Sequence, residues 1–176
     1  MGQSEYGGIN MFNRRAFEMV SNEQIKKSFG EKYDYSNPDF RGGFKIRFSP
    51  RRATKYSAAY DLYSPIEVVL KPGEIAKIPT GFKIKMPHNE GFFIYIRSSL
   101  GTQDINLPAG VNIIDSDYYD NPDNEGHFFI AIKNNSKKEF KIEQGDRIAQ
   151  GVFQRYYTCG DKPISIRMGG FGSSGK

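Results

Sequence analysis

The segment Arg97-Ser98-Ser99-Leu100-Gly101 follows an apolar run, Phe92 to Ile96, and sets one guanidinium and two hydroxyls at a strand end. An arginine carries a planar fork of donors that matches phosphate oxygens, and hydroxyls add further donors. The segment reads either as a phosphate site or as a solvated loop. A second cluster, Gly110-Val111-Asn112-Ile113-Ile114-Asp115-Ser116-Asp117-Tyr118, ends an apolar run on two acids and a tyrosine. Those acids suit metal ligation, general-base work or simple turn chemistry. Asp61 is a lone carboxylate between small and apolar residues in Ser57-Ala58-Ala59-Tyr60-Asp61-Leu62. Gly145-Asp146-Arg147-Ile148-Ala149-Gln150 reads as a turn into a strand, with Gln150 a neutral donor.

The C-terminal stretch Arg167-Met168-Gly169-Gly170-Phe171-Gly172-Ser173-Ser174-Gly175 is the most unusual piece. Glycines let backbone N–H groups crowd an anion, hydroxyls add donors, and arginine supplies a bidentate charge. An aromatic amid glycines has little core to join, so Phe171 suits stacking on a flat ligand. A disordered tail is the plainer alternative.

These residues need a scaffold, and its periodicity is that of strands. From Gly43 onward, Phe44, Ile46 and Phe48 alternate with basic residues, and Val68-Val69-Leu70 precedes the Pro72-Gly73 turn. Phe82, Ile84 and Met86 alternate up to Pro87. Further strands are expected at Phe92–Ile96, Phe128–Ile132, Phe140–Ile142 and Ile148–Phe153. Short strands with frequent turns predict an all-β fold, a barrel or jelly roll, over a helical or βαβ plan. Residues 1–42 form a polar arm with one expected helix, opened by the capping pair Ser21 and Gln24 and closed by Gly30. The expected organisation is an extension over 1–42, a core over 43–166 and a Gly-rich arm over 167–176.

Composition narrows the classes. A chain of 176 residues with 38% hydrophobic content suits one soluble domain. The net charge of +5 helps attract a polyanion, but Lys and Arg are spread rather than blocked, so stable nucleic-acid binding is not expected. Cys159 is the one cysteine, which excludes an internal disulfide, and the two histidines are not spaced to join it in a zinc site. No apolar run approaches a membrane span and the N-terminus lacks a signal-peptide core, so the expected compartment is the cytosol.

Taken in order, the clusters resemble the five motifs of the trimeric dUTPase family, from about Phe44 to the C-terminus. Ala59-Tyr60-Asp61-Leu62 resembles motif one, Arg97-Ser98-Ser99 motif two, and Ile114-Asp115-Ser116-Asp117-Tyr118 motif three. Gly145–Gln150 resembles motif four and Arg167–Gly175 motif five. The resemblance implies a distorted jelly-roll subunit, a homotrimer, and hydrolysis of dUTP to dUMP and pyrophosphate with Mg²⁺. It implies that Asp115 deprotonates the water attacking the α-phosphate. A carboxylate with the ordinary aspartate pKa of about 3.9 is ionised at neutral pH and able to do so. By the same resemblance, the backbone around Gly110, Asn112 and Ile113 reads uracil, and Tyr118 underlies the deoxyribose. Arg97, Ser98, Ser99 and Gln150 hold the triphosphate, and Asp61 acts on the metal through water. Arg167, Phe171, Gly172 and Ser173 close over the nucleotide, with motifs one, two and four, motif three, and motif five coming from three different subunits.

The sequence departs from the pattern in three places, of which the longer loop after Tyr118 resembles that of some Gram-positive bacterial and phage members. Ala59 stands where the family usually has Gly, and Ala109 and Asn112 replace common motif-three residues. Tyr119 replaces the usual Arg-Gly, with Gly126 arriving only after Asp120–Glu125. Two rivals share the fold: a dCTP deaminase, which normally lacks the Gly-Gly-Phe-Gly-Ser tail, and a phage-type regulator that binds a repressor protein. The tail offers only Met168 and Phe171 for burial, too little to offset about 1–2 kcal/mol of backbone entropy per ordered residue. Deleting residues 169–176 is therefore expected to leave folding and assembly intact and to reduce kcat/KM sharply. Oligomer mass and dUTP turnover of the truncated protein check this.

Overall fold

The computed structural model describes residues 14–31 and 35–160. Strand β1 (Ala16–Met19) pairs antiparallel with β5 (Phe82–Lys85), matching Phe17 to Ile84 and Met19 to Phe82. The N-terminal segment is thus built into the sheet rather than appended to it. The expected helix forms as α1 (Asn22–Phe29), where the Ser21 side chain accepts from the Gln24 N–H and Gly30 ends the turn at φ 77°. Val20 and Ile25 are fully buried beneath it.

One expectation is overturned. Phe44, Ile46 and Phe48 do not form a strand, but the end of a second helix, α2 (Pro38–Phe48), which crosses the boundary expected between residues 42 and 43. Asn37 caps it by accepting from the Asp39 N–H, and Pro38 occupies the first turn, where its missing N–H costs nothing. The pattern that prevails is the four-residue spacing of Phe40, Phe44 and Phe48, whose ring centroids lie 6.0 and 4.9 Å apart in tilted and edge-to-face contacts. Ile46, which completed the apparent alternation, is 80% exposed.

The other expected strands form, joined by short ones at Tyr60–Tyr63, Ile105–Asn106 and Asn112–Asp115 that alternation did not single out. A four-stranded antiparallel sheet has the order β2 (Tyr60–Tyr63), β11 (Arg147–Arg155), β6 (Glu90–Ile96), β8 (Asn112–Asp115). A three-stranded sheet runs β4 (Ile75–Pro79), β9 (Phe129–Asn134), β7 (Ile105–Asn106), and β3 (Val68–Leu70) pairs with β10 (Phe140–Ile142). Leu62, Ile94, Ile114 and Ile148 from the first sheet meet Ile78, Ile130 and Ile132 from the second in one core with Phe82, Phe92 and Phe128. Each such side chain contributes about 1.5–3 kcal/mol on burial. At Gly151 the strand crosses so close to Phe92 that a Cβ would lie 2.1 Å from the ring, so β11 needs glycine there. The result is the expected jelly roll of short antiparallel strands.

The N-terminal segment is fastened to the loop after Tyr118. The Ser21 N–H donates to Glu125 Oε2 at 2.9 Å, the Ser21 hydroxyl donates to Glu125 Oε1, and the Tyr119 hydroxyl donates to Glu18 at 2.6 Å. Gly126 closes that loop at φ 78°, where a Cβ would lie 2.3 Å from the Tyr118 carbonyl oxygen. His127, fully buried behind it, accepts from the Gly81 N–H through Nε2 at 2.7 Å, which leaves Nδ1–H to donate to Ser28 Oγ at 3.1 Å. Burial pushes the His127 pKa down to about 4, against an opposing pull from Glu125, and Lys77 adds to the lowering.

A histidine depressed in the folded state costs nothing above its unfolded pKa of about 6.5. Its penalty grows as pH falls from there towards 4, because the unfolded chain takes up the proton first. Stability is therefore expected to be flat above about pH 6.5 and to drop below it, on the order of 3 kcal/mol by pH 4 from this group. Urea unfolding at several pH values, with His127→Gln as control, checks this: the variant should lose much of that slope.

Candidate active site

Strand β11 brings three distant parts of the sequence together. Gln150 lies opposite Asp61 on one side and opposite Tyr95 on the other. Residues directly opposite on antiparallel strands have Cβ atoms about 4.5–5.5 Å apart, so Gln150 and Asp61 share a face. Arg97 stands one residue beyond β6, at the start of the short helix α3 (Ser98–Gly101). Its Nε is 3.7 Å from Asp61 Oδ1, and its Nη1 donates to the Arg147 carbonyl at 3.3 Å. Arg147 Nη1 in turn donates to Asp61 Oδ2 at 3.3 Å. The Asp61 side chain is only 12% exposed, which keeps this ion pair from being fully screened. Ser98 and Ser99 are exposed beside it, and Gln150 is half-buried. A cavity of about 510 Å³ opens here, lined by Arg51, Arg97, Arg147, Tyr63, Gly145 and Asp146 among others.

The Asp115 cluster is assembled elsewhere. Asp115 ends β8, is exposed, and pairs in register with Gly91; a 3-10 turn over Ser116–Tyr118 follows. Gly110 takes a positive φ of 74° in the preceding turn, while Asn112 and Ile113 border a depression of about 250 Å³ with Lys77, Phe129 and Ala131. Tyr118 is 1% exposed: its hydroxyl donates to the His127 carbonyl at 3.3 Å and accepts from Asn124 Nδ2 at 2.7 Å. Within a single chain the ring is therefore covered.

Asp61, Arg97, Ser98, Ser99 and Gln150 are thus gathered together, and Gly110, Asn112, Ile113, Asp115 and Tyr118 form a second group. Asp115 and Arg97 lie at different ends of β6, whereas Asn112 pairs with Ile94, three residues from Arg97. Arg97 lies six residues beyond Gly91, the partner of Asp115, which at about 3.3 Å per residue is about 20 Å along the strand. Arg167, Phe171, Gly172 and Ser173 lie outside the described residues. Sequence reasoning did not single out Arg147 or Arg51. Arg147 sits in the recognised Gly145–Gln150 run, and the strand pairing that turns it towards Asp61 was its missing signal.

A β subunit that gathers arginines around one polar cavity, with an exposed carboxylate at a neighbouring strand end, defines a class built to hold a polyanion. Residues 48–175 match the dUTPase family. The chain is 44% identical over 130 residues to the deoxyuridine 5'-triphosphate nucleotidohydrolase of Lactococcus lactis, covering 72% of this chain and 87% of that one. The crystal structure of the dUTPase from Streptococcus mutans superposes with a TM-score of 0.64 at 31% identity, covering 81% of this chain and 96% of that one. The dUTPase of Staphylococcus aureus phage phi11, described with a structural Mg(II) ion, shares the fold at 21% identity and a TM-score of 0.61, over 86% and 97% of the two chains. This chain belongs to the dUTPase family.

Removing the shared carboxylate should expose the two arginines to each other. Asp61→Ala is expected to cost about 1–3 kcal/mol of stability, the penalty of leaving hydrogen-bonded charged groups unpaired. Added inorganic pyrophosphate should recover more of that loss than it adds to the wild type. Thermal unfolding with and without pyrophosphate measures both effects.

Proposed function

We propose that this protein hydrolyses dUTP to dUMP and pyrophosphate, keeping uracil out of DNA and supplying dUMP for thymidylate synthesis. The observation that carries the reading is the gathering of Asp61 and Gln150 beside Arg97, which lines the arginine cavity, with Asp115 exposed at the end of β8. Arg97, with Ser98, Ser99 and Gln150, holds the triphosphate chain, and the guanidinium supplies charge-assisted hydrogen bonds to its oxygens. Asp115 accepts the proton of the water that attacks the α-phosphate. The backbone of Gly110 to Ile113 selects uracil, and Tyr118 lies under the deoxyribose once the Asn124–His127 cover over its ring opens. Arg167, Phe171, Gly172 and Ser173 cover the nucleotide and exclude water.

The separation of Asp115 from Arg97 along β6 supports a site shared between copies in a homotrimer. One copy supplies the arginine cavity and another supplies Asp115, so that neither group needs to cross the strand. Mg²⁺ fits this donor set. Among the described residues there is no group of three or more His, Cys, Asp or Glu able to hold a metal. Magnesium typically keeps several waters and is held by substrate phosphates with one or two carboxylates. Asp61 is the carboxylate to which the family resemblance gives this role through such waters. When bound with the triphosphate, the ion offsets the charge on its oxygens. No described helix is long and apolar enough to cross a membrane, and a cytosolic enzyme acting on free nucleotides is the setting we propose.

Incubation with a panel of deoxynucleoside triphosphates and Mg²⁺ tests the reading: pyrophosphate should appear from dUTP alone, whereas ammonia from dCTP would identify a deaminase. Asp115→Asn should retain dUTP binding and lose about 10²–10⁴-fold in turnover, since an amide cannot take the water's proton. Turnover within a few-fold of wild type would remove Asp115 from that role. Tyr118→Ala should lower discrimination between dUTP and UTP. Because this ring is buried, the selectivity ratio, not the rate, is the informative readout.

A further inference from the structure

Three arginines line the 510 Å³ cavity, and two of them share Asp61. Among the described residues the third, Arg51, has no carboxylate partner. Its backbone is fixed to the same strand: the Arg51 N–H donates to the Asp61 carbonyl at 3.4 Å, and the Asp61 N–H donates back at 2.9 Å. Its head is fixed as well. Nη1 donates to the carbonyls of Ile46 and Arg47 at 3.1 and 3.2 Å, in the last turn of α2, and the guanidinium lies over the Tyr63 ring at 4.3 Å. The final carbonyls of a helix lack partners within it, so this arginine satisfies them while the helix end holds its charge in place. Nε and Nη2 keep their N–H donors without a described partner. The other carboxylate of the cavity, Asp146, is turned to the Glu143 N–H at 2.9 Å.

We propose that Arg51 is a third phosphate-binding arginine, held ready by α2 for the distal, pyrophosphate-forming end of a nucleoside triphosphate. The proposal rests on the reading of the cavity as the triphosphate end of the site. A guanidinium with unused donors beside two arginines repels its neighbours until an anion arrives, and a pyrophosphate group has the charge and the acceptors to relieve all three. The carbonyls that anchor it belong to residues 46 and 47, just ahead of the 48–175 segment that matches the family. Helix α2 thereby acquires a use: it aims one phosphate ligand.

The test compares wild type, Arg51→Gln and Arg51→Lys by calorimetric binding of inorganic pyrophosphate and of dUMP, alongside dUTP kinetics and thermal unfolding. Arg51→Gln should weaken pyrophosphate binding about 10- to 100-fold, the loss of a charge-assisted hydrogen-bonding group. It should raise KM for dUTP, leave dUMP affinity within about two-fold, and shift Tm only slightly; Arg51→Lys should fall between. Unchanged pyrophosphate affinity in Arg51→Gln, or no pyrophosphate binding by the wild type, would overturn the proposal. So would a fall in Tm with pyrophosphate and dUMP affinities lowered equally, since Arg51 would then serve only to anchor α2. Should the wild type release no pyrophosphate from dUTP, the substrate reading fails, yet the pyrophosphate comparison still judges Arg51.

Discussion

Strand β11 is hydrogen-bonded along both edges, to β2 on one side and β6 on the other, and that double pairing sets how Asp61, Arg97, Arg147 and Gln150 meet. Its register puts Gln150 between Asp61 and Tyr95. A slip of one residue would turn Gln150 away from Asp61 and send Ala149 and Gly151 to the wrong faces. Packing enforces the register from below. Gly151 admits the Phe92 ring where any side chain would collide with it, and Ile148 and Ala149 are fully buried. A core contact thus dictates which polar groups meet at the surface.

From that register follows the local charge balance. Asp61 neutralises Arg97 and Arg147 and orients both, so the arginines are held before any ligand binds and less conformational freedom is lost on binding. An isolated surface ion pair stabilises little, typically under about 1 kcal/mol. Here the carboxylate is shielded and shared, so its main consequence is preorganisation. The same rigidity separates the two halves of the chemistry. β6 runs as one continuous strand between Gly91 and the Arg97 end, and no side-chain rearrangement brings Asp115 back along it. On the proposed reading, a chain of this architecture supplies two half-sites to different neighbours.

Much of this was legible in the residues, and the exceptions have physical causes. Phe82–Lys85 announced itself because one face is buried and the other wet, and Phe92–Ile96 because it is an unbroken apolar run. The cap of α1 was readable because Ser21 and Gln24 are local partners. The stretch Phe44–Phe48 misled because five residues satisfy a two-residue and a four-residue period alike; Phe40 and the Asn37-Pro38 start decide for helix. Asp61, Arg97 and Gln150 were picked out by residue type and order, and the strands place them together. Arg147 and Arg51 went unnoticed because their roles come from pairing across the sheet and from a helix end, neither of which is a local property of the sequence. The burial of Tyr118 was equally hidden, since it depends on Asn124 and His127 folding back over its ring.

The central claim is that one active site takes its arginine cavity and its Asp115 carboxylate from different copies of the chain. Co-expression of Arg97→Ala with Asp115→Asn, followed by purification of the mixed oligomer, tests it most directly. Each variant alone should be nearly inactive. In mixed oligomers some sites combine the intact Arg97 of one chain with the intact Asp115 of another, and dUTP turnover should return at a substantial fraction of the wild-type rate. A mixed oligomer no more active than its two parents would contradict the account, because it would place both groups in the same chain's site.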